Sequence, residues 1–474
     1  MKLFLKRVNS LPLVHVWLFL IVFFLPFQKP YKKWIQSLSS LAFKNESLSP
    51  FFYDRHLYYF LGDFLMVGFI LCALFSIRTP LRTLLWKQSG KYLLLFFSFA
   101  LVSIFCSESS HALWPYLRLL HFSLPLFLCL ALRNRRDREM IIKVSFGILL
   151  TVGLCQVFIA CGQYFLQHSM GFSGLGERKL YLDEAPSFLM GEKRRWIFDN
   201  LLGTHSPSSL ILRAHGTFKH PNILGAFLGM TLFASSYLFL QAKTKGTKLL
   251  SGLSIPLQIF GLTLSYSRAA ILGVFSLSLF YFVWLLCQKK WRKQTSLLIC
   301  LFVFGGAATG TLLHQQLLER GGVINYNEYV KEASDDGRMA YYKVGLKMAK
   351  ARPFIGHGFQ QYENAIVPFL TGHESYHIQK VHNIYFLLLV ETGILGLGAF
   401  LAFLGSRIFW VLKSGLDIMQ VTLMLILLFF LLSGCVDHFI FTSYQGSLML
   451  FLVIGLLGLK GKPQPQIPSS SQKL

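Results

Sequence analysis

The chain has 474 residues, 54% of them hydrophobic and 14% charged, with a mean hydropathy of +0.51, where a soluble chain would carry about 25% charged residues. A net charge of +25 would point a soluble protein toward nucleic acid. Here the basic residues sit in short segments between apolar runs, so membrane orientation accounts for them and no nucleic-acid partner is expected.

In chain order, Lys2, Lys6 and Arg7 precede an apolar run, and no small-x-small cleavage pattern follows it; Gln28-Lys29-Pro30 does instead. That pattern predicts a retained first helix. A helical span needs roughly 20 apolar residues to cross a hydrocarbon core. On that basis spans are predicted at 10–27, 57–77, 92–106, 113–132, 144–166, 222–240, 249–266, 269–287, 295–313, 383–404, 418–435 and 446–459. The expected fold is an all-α integral membrane protein of about twelve helices. A single membrane domain over 1–459 is expected, with a polar, Pro-rich cytoplasmic tail at 460–474.

With the N-terminus inside, the seven short inside segments carry 24 Lys and Arg, and the three short outside segments carry one. Both termini are therefore expected in the cytoplasm. Two long segments, 167–221 and 314–382, fall outside, the second a large, partly helical loop before the tenth helix. All eight cysteines lie in or beside apolar spans without ligand spacing, so neither a disulfide framework nor a zinc site is expected.

Four polar clusters gather on the outside face. The first is Arg213-Ala-His215-Gly216-Thr217-Phe218-Lys219-His220-Pro221-Asn222. His220-Pro221 stops a helix from extending backwards, leaving its first N–H donors to face an anion. The second is Ser265-Tyr266-Ser267-Arg268-Ala269-Ala270, between two spans. An arginine buried there needs an anionic partner such as phosphate, which a guanidinium grips with two donors; otherwise it snorkels to water. The third runs from Asp335-Asp336-Gly337-Arg338 through a helix with Lys343, Lys347 and Lys350 on one face, to Arg352-Pro353 and Gly356-His357-Gly358. This helix is either interfacial or simply solvated. The fourth is Val381-His382-Asn383, opening the tenth span, with Glu391-Thr392-Gly393 and Gly396 downstream. A histidine there either caps the helix or accepts a proton. Two charges inside spans, Asp63 and Arg118, are costly alone and could pair with each other.

These clusters resemble one family. His382-Asn383, nine residues, Gly393, two residues and Gly396 match the His-Asn-x9-Gly-x-x-Gly pattern of O-antigen ligases. The Arg213–Asn222 run, the Ser-Arg-small turn at Arg268 and the Gly-Arg…Pro-x-x-Gly-x-Gly stretch from Gly337 are similar to segments of the wider ligase and polymerase superfamily. The resemblance covers about 210–400. It implies a metal-independent, inverting glycosyltransferase of the bacterial inner membrane, its site facing the periplasm. The glycan would move from undecaprenyl pyrophosphate to lipid A–core oligosaccharide. The resemblance assigns catalysis to His382 and pyrophosphate binding to Arg268 and Arg213, with Arg338, His220 and Asn383 as weaker substrate contacts, and no cofactor. The same residues also fit O-antigen polymerization or O-linked transfer to protein; a lipid-linked glycan flippase or small-solute transporter is the alternative from another class.

Overall fold

The computed structural model describes residues 12–28, 61–76, 89–108, 115–123, 137–180, 188–190, 210–321, 328–370 and 379–458. The basic N-terminal residues, Arg194-Arg195-Trp196 and the 460–474 tail lie outside them. The described chain is built of helices: α1 Leu13–Phe24, α2 Leu61–Ser76, α3 Gly90–Phe105, α4 115–123, α5 Arg138–Leu166, α6 Pro221–Gln241, α7 Lys245–Leu264, α8 Arg268–Cys287, α9 Arg292–Gly321, α10 Glu328–Ala351, α11 Ile384–Lys413, α12 Ile418–Gly434 and α13 Tyr444–Leu457. Six of them, α5 to α9 and α11, are long and apolar enough to cross a membrane, and α1, α2, α3, α12 and α13 are shorter apolar helices. The long segment 167–221 also holds a two-stranded antiparallel pairing, Phe188–Met190 with Leu210–Leu212. The all-helical expectation did not include it, although Leu210-Ile211-Leu212 is an apolar triplet in an otherwise polar stretch.

α6 is the hub. It is apolar on every side and buried along nearly its whole length, packed by α5, α7, α8 and α12. Such a helix belongs in the middle of a bundle. Small residues let its neighbours approach, with Gly225 against Ala270 of α8 and Ser267 just before it, and Gly229 against Phe429 of α12. Polar residues join helices where lipid cannot: Gln258 of α7 donates to Ser235 and accepts from Thr231, both on α6. α8 and α9 turn Leu272, Phe280 and Phe304 outward, as a lipid-facing surface requires.

The two intramembrane charges do not pair with each other. Asp63 meets His121 at 3.0 Å, and Arg118 donates to the carbonyl of Gln360 at 3.1 Å. His121 lies three residues beyond Arg118 on α4, so the neighbouring turn supplied the partner that spacing alone could not identify.

α11 is longer than its predicted span and is broken at Gly393, whose φ of +66° only glycine adopts without strain. The break unpairs the carbonyls of Val390 and Glu391 from the amides of Ile394 and Leu395. The segment after α10 replaces all four partners. His357 and Gly358 amides donate to Val390 and Glu391, while Pro353 and Phe354 carbonyls accept from Ile394 and Leu395. Glu391 adds a side-chain bond, accepting from the Gln360 amide at 2.9 Å. α10 ends before Arg352-Pro353, as the sequence predicts, but begins at Glu328, ahead of Asp335-Asp336-Gly337. In this way α10 and its following loop are fastened to the helix that carries His382.

Candidate active site

Asn222, His382 and Asp437 come from separate regions of the chain and meet at one end of the bundle. Asn222 lies in the first turn of α6, His382 lies two residues before α11, and Asp437 lies in the turn between α12 and α13. His382 turns Nδ1 toward Asp437 Oδ1 at 3.6 Å, a contact just beyond hydrogen-bond length. Asp437 Oδ2 accepts from the Asn222 amide at 2.6 Å, and its Oδ1 accepts from the His438 backbone N–H at 2.7 Å. Asn222 Oδ1 in turn accepts from the Arg213 guanidinium at 3.0 Å, while Arg213 Nε donates to the carbonyl of Ser265 at 3.0 Å. The result is a polar chain running Arg213–Asn222–Asp437–His382. Its partners fix the amide orientation of Asn222, because only nitrogen can donate to the carboxylate.

Local structure explains each position. His220 caps α6, its Nδ1 accepting from the Asn222 N–H, and Pro221 follows at the first helical position, where its missing N–H costs nothing. At α11 the cap is Asn383 rather than His382. The Asn383 carbonyl oxygen accepts from the Tyr385 and Phe386 amides, and its NH2 donates to the Cys435 carbonyl. Capping by Asn383 leaves the His382 ring for other work. Tyr342 of α10 donates to the His382 carbonyl at 3.3 Å. Arg338, four residues earlier on α10, is exposed one helical turn away.

Burial sets the charge states here. Burial alone would raise the Asp437 carboxyl, but the contacts with His382 and Asn222 and the nearby His438 outweigh it and hold it below the usual carboxylate range. Burial pushes the His438 imidazole down, against the opposing charge of Asp437. His215 is driven down to about 3 by burial, reinforced by His220, Arg213 and Arg178.

The two arginines expected to share one role are placed differently. Arg268 is exposed at the first residue of α8, not buried between helices, because the turn from α7 ends at Ser267 and releases the side chain outward. Arg213 is the buried one, 3% exposed and engaged with Ser265 and Asn222.

Several contributors carry little signal in the sequence. Asp437 and His438 were signalled only as ionisable groups in a short segment between two spans. Asn222 closes the Arg213–Asn222 run, and its partners Asp437 and Arg213 reveal its role only in the folded chain. Gln156 and Gln163, one helical face of α5, hold the 213–220 loop: Gln163 accepts from the His215 and Gly216 amides and donates to the Gly216 carbonyl and Glu177, and Gln156 accepts from the Thr217 amide. Two glutamines seven residues apart in an apolar span were their signal. Among the described residues, His382, Asp437 and His438 also place potential ligand atoms within 4.8 Å of one another.

Residues 249–401 match the family model Wzy_C, described as O-Antigen ligase. No curated protein matches the chain.

Proposed function

We propose, from the match of residues 249–401 to the O-antigen ligase family model, that the chain moves a glycan from undecaprenyl pyrophosphate to the lipid A–core oligosaccharide at the periplasmic face of the bacterial inner membrane. The observation that carries this reading is the His382 imidazole, with one nitrogen facing a carboxylate that is itself braced by Asn222 and Arg213. With Nδ1–H held toward Asp437, Nε2 keeps its lone pair and can accept a proton. The acceptor hydroxyl gives its proton to Nε2 as its oxygen bonds to the anomeric carbon. The bond from that carbon to the pyrophosphate oxygen breaks, and its electron pair leaves with the lipid pyrophosphate. Displacement from the opposite side inverts the anomeric centre.

The departing charge needs cations and N–H donors. Arg268 is exposed at the start of α8, whose N-terminus packs near that of α6 at Gly225. A helix start and a guanidinium together suit a pyrophosphate. Arg213 acts from beneath, positioning Asn222 and through it Asp437. Arg338, exposed one turn from Tyr342, contacts the substrate's glycan or phosphate in this reading; His220 and Asn383 set the helix starts.

The test is transfer by the purified full chain from a lipid-linked glycan to a panel of acceptors: lipid A–core, O-polysaccharide and protein. Transfer to lipid A–core, with His382→Ala retaining donor binding but losing about 100-fold or more in turnover, is expected. Polysaccharide extension or protein modification alone would reassign the acceptor. Wild-type turnover in His382→Ala would remove the base from the mechanism.

A further inference from the structure

We propose that His382, Asp437 and His438 form a binding site for a zinc-type divalent cation, and that its occupation shuts off glycan transfer by reversing the tautomer of His382. The inhibitory half rests on the base role of His382 given above; the binding half does not.

The three side chains carry two imidazoles and one carboxylate, with ligand atoms within 4.8 Å of one another. Two imidazoles suit zinc, copper or nickel rather than magnesium or calcium, which take oxygen ligands. Each ligand is already in the form a metal needs. The Thr442 hydroxyl donates its only proton to the His438 carbonyl at 3.0 Å, so its oxygen accepts from His438 Nδ1–H at 2.7 Å. That bond leaves Nε2 of His438 with its lone pair, and a fixed second nitrogen is the usual support of a metal-bound histidine. Asp437 is ionised, and each oxygen has accepted one hydrogen bond, with lone pairs to spare. His382 Nδ1 is buried and has no hydrogen-bond partner among the described residues. The His382 and His438 rings lie 5.1 Å apart, centre to centre. Bonds of about 2.0–2.1 Å in a tetrahedral site set ligands roughly 3.3 Å apart, so closure requires inward movement on the order of 1 Å. Water completes the fourth position.

The consequence for catalysis is geometric. A metal on Nδ1 of neutral His382 takes the lone pair there, and the ring proton moves to Nε2. No proton is released overall, but the nitrogen that would accept the hydroxyl proton now carries one of its own. Metal binding and base catalysis then exclude each other at a single ring.

Cobalt(II) added to the purified full chain is the direct probe, since a tetrahedral site gives it strong visible absorption bands. We expect one equivalent of cobalt to develop these bands and zinc to displace it. Asp437→Asn and His438→Ala should each weaken cobalt binding about tenfold or more, whereas Arg268→Ala should not. In the transfer assay, zinc should inhibit and a chelator should restore the rate, and the zinc concentration for half-inhibition should rise at least about tenfold in His438→Ala relative to that variant's own uninhibited rate. Cobalt binding that ignores Asp437 and His438 would overturn the site. Activity lost to a chelator and regained with zinc would overturn its inhibitory role. A chain that binds cobalt at this site but transfers glycan to no acceptor would leave the binding site standing while the proposed function fails.

Discussion

Asn222 Nδ2 donates to Asp437 Oδ2 at 2.6 Å across 215 residues of chain, tying the first turn of α6 to the turn before α13. The same amide accepts from Arg213, so it stands between a cation and an anion and faces each with the matching atom. Asn222→Asp keeps the size but sets one carboxylate against another. This variant is expected to lose more activity than Asn222→Ala, by about tenfold or more, because like charges in a buried site repel strongly. Turnover of both variants at matched membrane expression decides it; equal losses would reduce Asn222 to a packing residue.

The arginines should separate by what lysine can replace. At Arg268, exposed at a helix start, a forked grip on pyrophosphate predicts that Arg268→Lys fails nearly as badly as Arg268→Ala, with weakened donor binding. At Arg213, buried and bonded to Ser265 and Asn222, lysine cannot reach both acceptors with fixed geometry. Arg213→Lys is expected to lower turnover about tenfold or more while donor affinity stays within about threefold. Donor binding and turnover measured on the same preparations separate the two; a large loss of donor affinity in Arg213→Lys would make it a direct phosphate ligand.

The folded chain holds His215 at about 3, below its ordinary value of 6.5. Between those values the unfolded chain binds more protons, so stability rises with pH in that window. The contribution of His215 is fully present above about 6.5 and is lost as pH falls toward 3. Thermal midpoints in detergent or nanodiscs should drop over this range, and His215→Asn should flatten that part of the profile. An unchanged slope would show that other groups govern acid sensitivity.

Much of the membrane architecture could be read from the sequence because apolar length is a strong signal and polar signatures sit at helix starts. α6 and α8 begin within a residue of their predicted positions. The polar network around His382 was harder. His382 stood out by its motif, yet its carboxylate partner lies beyond the matched family segment, in a turn with no pattern of its own. Pairing across a bundle leaves no periodic trace, which is why Asp63 found His121 and Arg118 found a backbone carbonyl. For Arg268 the sequence leaves burial and exposure both open, and the structure has it exposed at the first residue of α8.

Gly393→Ala should be among the most damaging substitutions remote from the reacting groups. A Cβ at this position would lie 2.2 Å from the Phe354 backbone, at a φ that alanine resists. A loss of about 3–4 kcal/mol is expected, seen as a lower thermal midpoint or reduced folded yield. Gly398→Ala, with open space around the new methyl, is the control and should behave like the parent chain.

The repair of α11 by residues 353–358 also constrains how the protein is made. Inside a bilayer no water is present to satisfy an opened turn, and each unmatched backbone group costs several kcal/mol. A nascent 384–413 segment entering lipid on its own is therefore driven to close the Val390–Ile394 and Glu391–Leu395 pairs as one continuous rod. The break is matched because residues 353–358 offer their own amides and carbonyls in exchange. The helix next to His382 and the loop before it therefore form one unit, since the backbone of each is completed inside the bilayer only by the other.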